Sequence, residues 1–272
     1  MHPASTLPRA DDPAAAAATD IAQSPSDLRW SDSSLADPHA QSDKPARVRA
    51  MFAAIARSYD LNNRLHSFGR DQAWRRFAVR AARLRPADEV LDCACGTGDL
   101  TRLFAAAGAR RVVGLDFTAE MLDLARRKPT PPRAQAPISY IHGDALRLPF
   151  PNASFNVVSI AFGIRNVADP ALALREFRRV LRPGGRLVVL EFDRPASPFL
   201  GALSDFYTRR VMPITASLIS GDRTGAYRYL PRSVATFMTR GEFAAAMRTA
   251  GFSGVTSTPL TLGICVCHVG VA

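Results

Sequence analysis

Short apolar runs alternate with amphipathic stretches between residues 89 and 192. Five runs are almost continuously apolar, as is typical of strands buried on both faces of a parallel sheet. They are Glu89–Cys95, Arg111–Phe117, Ile138–Asp144, Phe155–Gly163 and Arg186–Phe192. Helical patterns separate them at Asp99–Ala107, Ala119–Arg127 and Pro170–Leu181, and Pro183-Gly184-Gly185 predicts a helix stop and a turn before the fifth run. This alternation predicts an α/β fold with a mostly parallel sheet and right-handed crossovers.

The regions on either side of this alternation have other patterns. Residues 1–43 are rich in Ala, Ser, Asp and Pro and predict a disordered acidic tail. Residues 44–85 predict a helical cap that ends before Pro86. The apolar positions of that cap recur at helical spacing (Trp74, Phe77, Ala78, Ala81, Leu84), and its arginines face away from them (Arg75, Arg76, Arg80, Arg83, Arg85).

Residues 86–272 predict one large domain, in which residues 195–235 break the alternation. We expect these residues to form an insert on the substrate side, because insertions at this place often act as lids. A helix at Arg240–Ala250 and two strand-like runs, Gly254–Thr261 and Gly263–Val271, complete the domain.

The charge is unevenly distributed. The chain has 35 Lys and Arg against 24 Asp and Glu, for a net charge of +11. Residues 1–43 hold seven Asp and two Arg, and only Lys44 and Lys128 are lysines. A body this basic is compatible with nucleic acid, with an anionic membrane surface, or with an arginine-rich genome. No apolar run reaches the roughly 18–20 residues of a membrane span, and we expect neither a secretory nor an organelle leader.

The four cysteines form two C-x-C pairs, Cys93/Cys95 and Cys265/Cys267. Both pairs lie in apolar, strand-like runs, and the C-x-x-C spacing that is usual for zinc is absent. We therefore interpret them as buried structural thiols in a reducing compartment and expect no metal site.

A glycine-rich loop follows the first predicted strand. Gly96-Thr97-Gly98 opens a helix at Asp99, and the third glycine of a dinucleotide-binding loop is missing. Carboxylates before and after the loop, Asp92 and Asp99, would repel a pyrophosphate but suit a cationic ligand such as S-adenosylmethionine.

Two further carboxylates end the next two strands. Asp116 closes the second strand, where it can accept hydrogen bonds from both hydroxyls of an adenosine ribose. Asp144 closes the third strand, where it can accept a hydrogen bond from the adenine amine. Because open sheets bind ligands beyond the carboxyl ends of their strands, these acids predict one common site.

Several longer motifs carry a family resemblance. They are MFAAIARSYDLNNRLHSFGRDQAWRR at 51–76, VLDCACGTGDL, GLDFTAEML, GDALRLPFPNASFNVVSIAFGIRNVAD, LREFRRVLRPGGRLVVLEF and AYRYLPRSV. Over about residues 47–270 the chain resembles the class I S-adenosylmethionine-dependent methyltransferases, and specifically the UbiE/MenG/Coq5 family of quinone-ring C-methyltransferases. The resemblance implies a Rossmann-like, seven-stranded sheet with helices on both faces, and S-adenosylmethionine without a metal.

The resemblance also implies cofactor contacts at Thr97, Asp116 and Asp144-Ala145, to which the residues themselves add Asp92, Gly96 and Gly98. Ala161 stands where the family has a cofactor-contacting serine, which puts a hydroxyl contact there in doubt. Cys95 stands at a position often held by glycine, and Asn156 replaces the usual acidic residue.

Methylation of an aromatic carbon requires a phenolate that pushes electron density onto the adjacent ring carbon. Arg165 and Asn166 leave the fourth strand at its carboxyl end, and we predict that Arg165 stabilises the phenolate while Asn166 binds a ring oxygen. Tyr59, Tyr227 and Tyr229 are predicted to contact the substrate. Pairing of Arg165 with a carboxylate, and helix or core packing of the tyrosines, are the structural alternatives.

These implications lead to one expected function with named alternatives. We expect conversion of a demethylmenaquinol to a menaquinol by a cytoplasmic enzyme that contacts the anionic inner face of the membrane. The close alternative is the benzoquinol of the ubiquinone pathway, or both substrates.

A methyltransferase acting on RNA or another small molecule is more remote, since no RNA-binding module or Asn-Pro-Pro-Tyr motif is present. A non-enzymatic partner of a quinone-synthesis complex is also remote, because Asp92, Asp116 and Asp144 are retained. A homodimer and such a complex remain open.

Overall fold

Seven strands form one sheet in the order β3-β2-β1-β4-β5-β7-β6 in a computed structural model, which describes residues 28–132, 134 and 136–272. The strands are β1 (Glu89–Cys93), β2 (Arg111–Asp116), β3 (Ile138–His142), β4 (Phe155–Ala161), β5 (Leu181–Phe192), β6 (Ser253–Leu260) and β7 (Cys265–Val271). The first five are parallel, and β7 is antiparallel to both of its neighbours. The predicted mostly parallel α/β sheet is confirmed.

Ten α-helices accompany the sheet in the described residues. They are α1 (Asp32–Ala36), α2 (Lys44–His66), α3 (Arg70–Ala81), α4 (Asp99–Ala106), α5 (Ala119–Arg127), α6 (Pro170–Val180), α7 (Pro198–Phe206), α8 (Met212–Ser220), α9 (Ala226–Ala235) and α10 (Arg240–Thr249). A π-helical turn, Tyr207–Val211, joins α7 to α8. No helix in this described part is both long enough and apolar enough to cross a membrane.

Alternate residues of the strands feed two cores, one on each face of the sheet. Leu91 of β1 belongs to a core that includes Phe177 of α6 and Met247 of α10. The neighbouring Val90 belongs to a second core with Trp74 of α3. This division follows from the two-residue period of a strand and explains why the strand sequences are apolar throughout.

A third core joins the insert to the amino-terminal helices. Met212 and Ala216 of α8 pack with Met51 and Ile55 of α2. The insert therefore lies against the cap and is not an isolated flap.

The prediction of a disordered tail through residue 43 is wrong for residues 28–43. Trp30 is buried and stacks on Tyr229 with ring centroids 4.3 Å apart, and Ser31 caps α1. A single buried tryptophan in a polar stretch carries no periodicity, so only its tertiary partner shows that the segment is docked. The rest of the predicted tail, residues 1–27, lies outside the described residues.

The predicted helical cap consists of two helices, α2 and α3, which Gly69 with φ +72 separates, and α3 ends at Ala81, ahead of Pro86. One smaller prediction needs correction. The Pro183–Gly185 segment is not a turn before β5. It is a bulge within β5, where pairing passes from Phe155–Leu181 to Val157–Arg186.

Candidate functional site

A cleft that is partly open to solvent lies at the carboxyl ends of the central strands β1, β2, β3 and β4. Seven residues that the sequence singled out line it: Tyr59, Gly96, Asp116, Asp144, Ala145, Ala161 and Asn166. All of them except Tyr59, which lies on α2, converge because parallel strands end at one edge of the sheet, as expected for this fold class. The other predicted site residues are not among those that line the cleft.

The glycine loop and β2 are joined through Asp116. The carboxylate of Asp116 accepts hydrogen bonds from the amides of Gly96 at 2.7 Å and Thr118 at 2.8 Å. Burial raises the pKa of Asp116, and these two amides oppose that shift. Gly96 has φ +55, and a Cβ added there would meet no atom within 4 Å, so its backbone is open for the close approach of a ligand.

Asp144 and Ala145 form the next part of the wall. The Asp144 carboxylate accepts a hydrogen bond from the Leu146 amide at 2.9 Å, which fixes its direction. Phe117 follows Asp116, lines the same cleft and stacks on His142. An acceptor beside an apolar, aromatic wall is an arrangement that can hold an adenine.

Asp92, which the sequence assigns to the cofactor site, is not among the residues that line the cleft. Its two carboxylate oxygens accept hydrogen bonds from the hydroxyls of Thr101 at 2.6 Å and Ser159 at 2.7 Å. Burial raises the pKa of Asp92 to about 6. The side chain ties β1 to α4 and β4, and thereby holds the glycine loop from behind.

Thr97 and Asp99 belong to a polar cluster around Lys128. The Lys128 ammonium lies 2.7 Å from Asp60 of α2 and 2.6 Å from Asp99, and it donates to the Thr97 hydroxyl at 2.9 Å. Burial alone would raise the pKa of Asp99, but the hydrogen bond and charge of Lys128 together lower it. The negative charge of Asp99 is thus balanced by the Lys128 ammonium. The cluster also fastens the helical cap to the glycine loop.

Arg165 lies in the turn after β4, and its guanidinium points away from the cleft. It forms a buried ion pair with Glu191 at 2.7 Å and donates to the Phe162 carbonyl at 2.8 Å. The predicted direct contact with a phenolate is therefore not what this geometry shows, and pairing with a carboxylate, the structural alternative, is observed. The sequence did not reveal Glu191 as the partner because 26 residues separate the two side chains.

Asn166 is the residue of this turn that reaches the cleft. Its Oδ1 accepts a hydrogen bond from the Tyr229 hydroxyl at 2.9 Å, and its Nδ2 donates to the Phe162 carbonyl at 3.2 Å. An amide nitrogen carries two hydrogens, so Asn166 retains a second one for a ligand.

The three predicted substrate tyrosines occupy different positions. Tyr59 lines the cleft, and burial raises its pKa, so the phenol stays protonated at neutral pH. Tyr227 and Tyr229 are buried in the core between the insert and the cap and do not line the cleft. Tyr229 acts on the cleft through Asn166, and Tyr227 is a packing residue, which was its structural alternative.

Lys44 is a residue that sequence reasoning missed. Its buried ammonium donates to the carbonyls of Arg165 at 2.9 Å and Val167 at 2.7 Å. Burial lowers its pKa to about 8, and the charge of Arg165 acts in the same direction. The available signal was the rarity of lysine, since Lys44 and Lys128 are the only two and both hold parts of the site.

The four cysteines are free and buried, and burial raises the pKa of each thiol. This agrees with their interpretation as structural residues. Within residues 28–132, 134 and 136–272, no group of three or more His, Cys, Asp or Glu side chains is placed to hold a metal ion.

The cleft fits S-adenosylmethionine by the chemistry of its donors and acceptors. The carboxylate of Asp116 can accept hydrogen bonds from a ribose and that of Asp144 from an adenine amine, and the backbone at Gly96 leaves room for the rest of such a ligand. Ala161 lines the same wall without a hydroxyl, so any contact at this position is made by its backbone or its methyl group.

Known proteins share both the sequence and the fold. The profile of the ubiE/COQ5 methyltransferase family matches residues 40–272. A Deinococcus radiodurans protein named demethylmenaquinone methyltransferase is 47% identical over 229 residues, which cover 84% of this chain and 93% of the relative. A Geobacter sp. protein named ubiquinone/menaquinone biosynthesis C-methyltransferase UbiE is 43% identical over 234 residues, which cover 85% of this chain and 99% of the relative.

A solved S-adenosylmethionine-dependent methyltransferase from Thermotoga maritima superimposes with a TM-score of 0.57 at 23% identity, and the match covers 82% of this chain and 99% of that one. This likeness shows that the fold is that of the class I methyltransferases, as expected. The family profile matches nearly all of the described residues, and the chain therefore belongs to the ubiE/COQ5 methyltransferase family.

Proposed function

We propose that this methyltransferase uses S-adenosylmethionine to methylate a ring carbon of a polyprenylated quinol, converting a demethylmenaquinol to a menaquinol. The observation that carries the proposal is the cleft itself, in which Asp116 and Asp144 lie beside an apolar wall that includes Phe52, Tyr59 and Met121. The names of the similar proteins from Deinococcus and Geobacter support the same reaction.

The bound cofactor supplies an electrophilic methyl group on a sulfonium. The protein has to hold a ring carbon in line with that methyl and keep water away from it. Phe52 and Tyr59 of α2 cover the cleft from the cap, opposite the strand ends. The Lys128 cluster fastens α2 to the glycine loop, so it holds this cover in place.

The ring oxygens need hydrogen-bond donors that stabilise the phenolate as carbon attacks. The second Nδ2 hydrogen of Asn166 and the protonated hydroxyl of Tyr59 are the donors that we assign to this role. Arg165 acts as a positioning residue: its bonds to Glu191 and the Phe162 carbonyl hold the turn that presents Asn166.

Methylation of the benzoquinol of the ubiquinone pathway is the alternative within the same chemistry. The name of the Geobacter relative, which includes both quinones, favours this alternative for part of the family. The two quinols differ because the naphthoquinol carries a fused ring and the benzoquinol carries a methoxy group.

The test is incubation of the purified protein with S-adenosylmethionine and each reduced quinol, followed by mass spectrometry of the quinones. We expect a mass increase of one methyl group on demethylmenaquinol. Methylation of the benzoquinol alone would reverse the assignment, and methylation of neither would contradict the proposed function. Analysis of the quinones from a deletion strain, where demethylmenaquinone should accumulate, tests the same point in the cell.

We also propose that the enzyme works in the cytoplasm on the inner face of the membrane. This proposal rests on the arginine-rich body of the chain, which anionic lipid attracts, and on the solubility of a polyprenylated substrate in the bilayer.

A further inference from the structure

One face of the molecule gathers most of its exposed apolar side chains. Of the twelve large apolar side chains that are exposed in the described residues, ten fall within residues 61–68 and 199–219. We call these ten side chains the apolar face. Phe68, Phe199 and Leu218 are its most exposed members, at 79, 75 and 80%. Monomeric proteins rarely expose large apolar side chains in such a concentration unless the surface has a partner.

The two segments of the apolar face are in contact with each other. The His66 ring nitrogen Nδ1 lies 3.0 Å from the Tyr207 hydroxyl, and the ring of Phe68 is 5.9 Å from the Tyr207 ring. On α8, Met212 and Ala216 turn inward to the core, so the exposed stripe is the opposite side of the same helix. The face is therefore one continuous surface over the end of α2 and the helical stretch that α7, the π-helical turn and α8 form together.

Exposed arginines border this face. Arg64 and Arg70 flank its α2 end, and Arg209 and Arg210 lie in the π-helical turn. Asp205 is the single acidic residue of 198–220, and Arg209 lies 3.3 Å from it. Apolar side chains flanked by guanidinium groups are suited to an anionic bilayer. The apolar side chains can enter the boundary between headgroups and acyl chains, and the guanidinium groups can bind lipid phosphates.

A second copy of the chain fits this surface less well. In a two-fold dimer the same patch faces itself, so the arginines of both copies would be brought together. Anionic lipid complements this charge, whereas a second copy repeats it.

The apolar face also adjoins the cleft. Phe52 and Tyr59 of α2 line the cleft, and the same helix continues through Leu61 and Leu65 into the face. We propose that the apolar face docks on an anionic membrane and thereby presents the cleft to a lipid-dissolved substrate. The substrate part of this statement rests on the proposed function, and the docking part does not.

Docking is tested by cosedimentation with vesicles, without any quinol. The native chain should bind vesicles of equal parts phosphatidylglycerol and phosphatidylcholine more tightly than vesicles of phosphatidylcholine alone. The variant Leu203→Ser/Phe206→Ser should weaken binding to both by about tenfold or more, since it removes inserted apolar groups. Arg209→Glu/Arg210→Glu should weaken binding to the anionic vesicles selectively.

The matched control is Arg127→Glu/Arg175→Glu, which makes the same charge change at exposed positions of α5 and α6. It should leave vesicle binding within about twofold of native, because interfacial charge acts only near the surface. Calorimetric affinity for S-adenosylmethionine shows that each variant is folded.

Equal vesicle binding by the native chain and the Leu203→Ser/Phe206→Ser variant would overturn the proposal. So would a loss of binding in Arg127→Glu/Arg175→Glu as large as the loss in Arg209→Glu/Arg210→Glu. A native dimer that this variant dissociates in sedimentation would also overturn it, since the face would then join two copies. Methylation of quinol in detergent is measured separately, so failure of the proposed function and failure of docking give different results.

Discussion

Lysine is the rarest basic residue of this chain, and both lysines stand where three acceptors converge. Lys44 meets two carbonyls and His39 Nδ1, and Lys128 meets Asp60, Asp99 and Thr97. An ammonium presents three donors around one atom, whereas a guanidinium presents a planar fork. The geometry of these two sites therefore requires lysine in a chain that otherwise uses arginine.

Lys44→Arg should destabilise the fold by about 1–3 kcal/mol, because a larger, planar group has to enter a site that is 2% exposed. We also expect a lower kcat with little change in affinity for S-adenosylmethionine, since Lys44 supports the 165–167 turn and not the Asp116 side of the cleft. Thermal unfolding and steady-state kinetics measure both effects. Arg127→Lys on exposed α5 is the control, and an equal loss there would contradict the argument.

Asp116→Ala should weaken binding of S-adenosylmethionine by about 100-fold or more, measured by calorimetry. The variant loses a charged acceptor for the ribose, with each such hydrogen bond contributing roughly 1.5–3 kcal/mol, and it frees the Gly96 amide. Asp123→Ala removes an exposed carboxylate from α5 and should bind normally. Unchanged affinity in Asp116→Ala would refute the cofactor assignment.

Asp92 predicts an unusual pH dependence of stability. Its pKa rises from 3.8 to about 6 on folding, so the folded chain holds a proton that the unfolded chain has lost between these values. The contribution of Asp92 to the free energy of unfolding is thus present below about pH 4 and is lost as the pH rises through 6, by on the order of 3 kcal/mol. Asp92→Asn should lack this slope in denaturant titrations at pH 4–7. A slope identical to native would show that Asp92 is not its source.

At the scale of elements, the amino-terminal segment packs behind the turn after β4 that carries Asn166. Trp30 stacks on Tyr229, whose hydroxyl holds Asn166, and His39 Nε2 lies 3.0 Å from the Ser233 carbonyl. Trp30 and His39 precede residue 40, where the match to the family profile begins. Trp30 and His39 thus pack against the elements that hold Asn166, which lines the cleft.

Trp30→Ala should lower kcat by about tenfold while affinity for S-adenosylmethionine stays near native. The loss follows from the stacking that orients Tyr229, since aromatic pairs contribute roughly 0.5–1.5 kcal/mol beyond their buried area. Trp30→Phe keeps an aromatic ring and should restore most of the rate. If Trp30→Ala lowers cofactor affinity as strongly as kcat, the segment supports the whole fold and not the turn.

At the scale of the whole molecule, the cleft lies between the sheet and a cap that is fastened to it at two places. Lys128 joins α2 to the glycine loop, and Lys44 joins the start of α2 to the turn after β4. Cap, insert and sheet should therefore unfold together, and a ligand in the cleft should stabilise all of them.

Saturating S-adenosylmethionine should raise the single thermal unfolding midpoint by roughly 5–10 °C. Ligand at 100 times its dissociation constant adds about 2.7 kcal/mol, and each kcal/mol shifts a chain of 150–250 residues by roughly 2–4 °C. Asp116→Ala should show no shift at the same concentration. Two separate transitions, of which only one responds, would show that the cap unfolds independently.

The amino-acid sequence alone determined the alternation of strands and helices between residues 89 and 192 and the acids and glycines at the strand ends. The predicted strand and helix boundaries lie within a few residues of those observed, apart from β5, which begins five residues earlier. Apolar periodicity and glycine turns are local properties, so they can be recognised in the sequence without a structure. The convergence of Gly96, Asp116 and Asp144 also followed, because the ends of parallel strands share one edge.

Only the tertiary structure decided what each polar side chain does. Arg165 turns to Glu191, Asp99 to Lys128, and Tyr229 to Asn166, and each pair is separated by more than 25 residues. The same holds for the docking of Trp30 and for the apolar face, which unites residues from two distant segments. A charged or aromatic side chain pairs with a suitable group that is close to it in the folded chain. The pattern of residues along the sequence does not show which group that is.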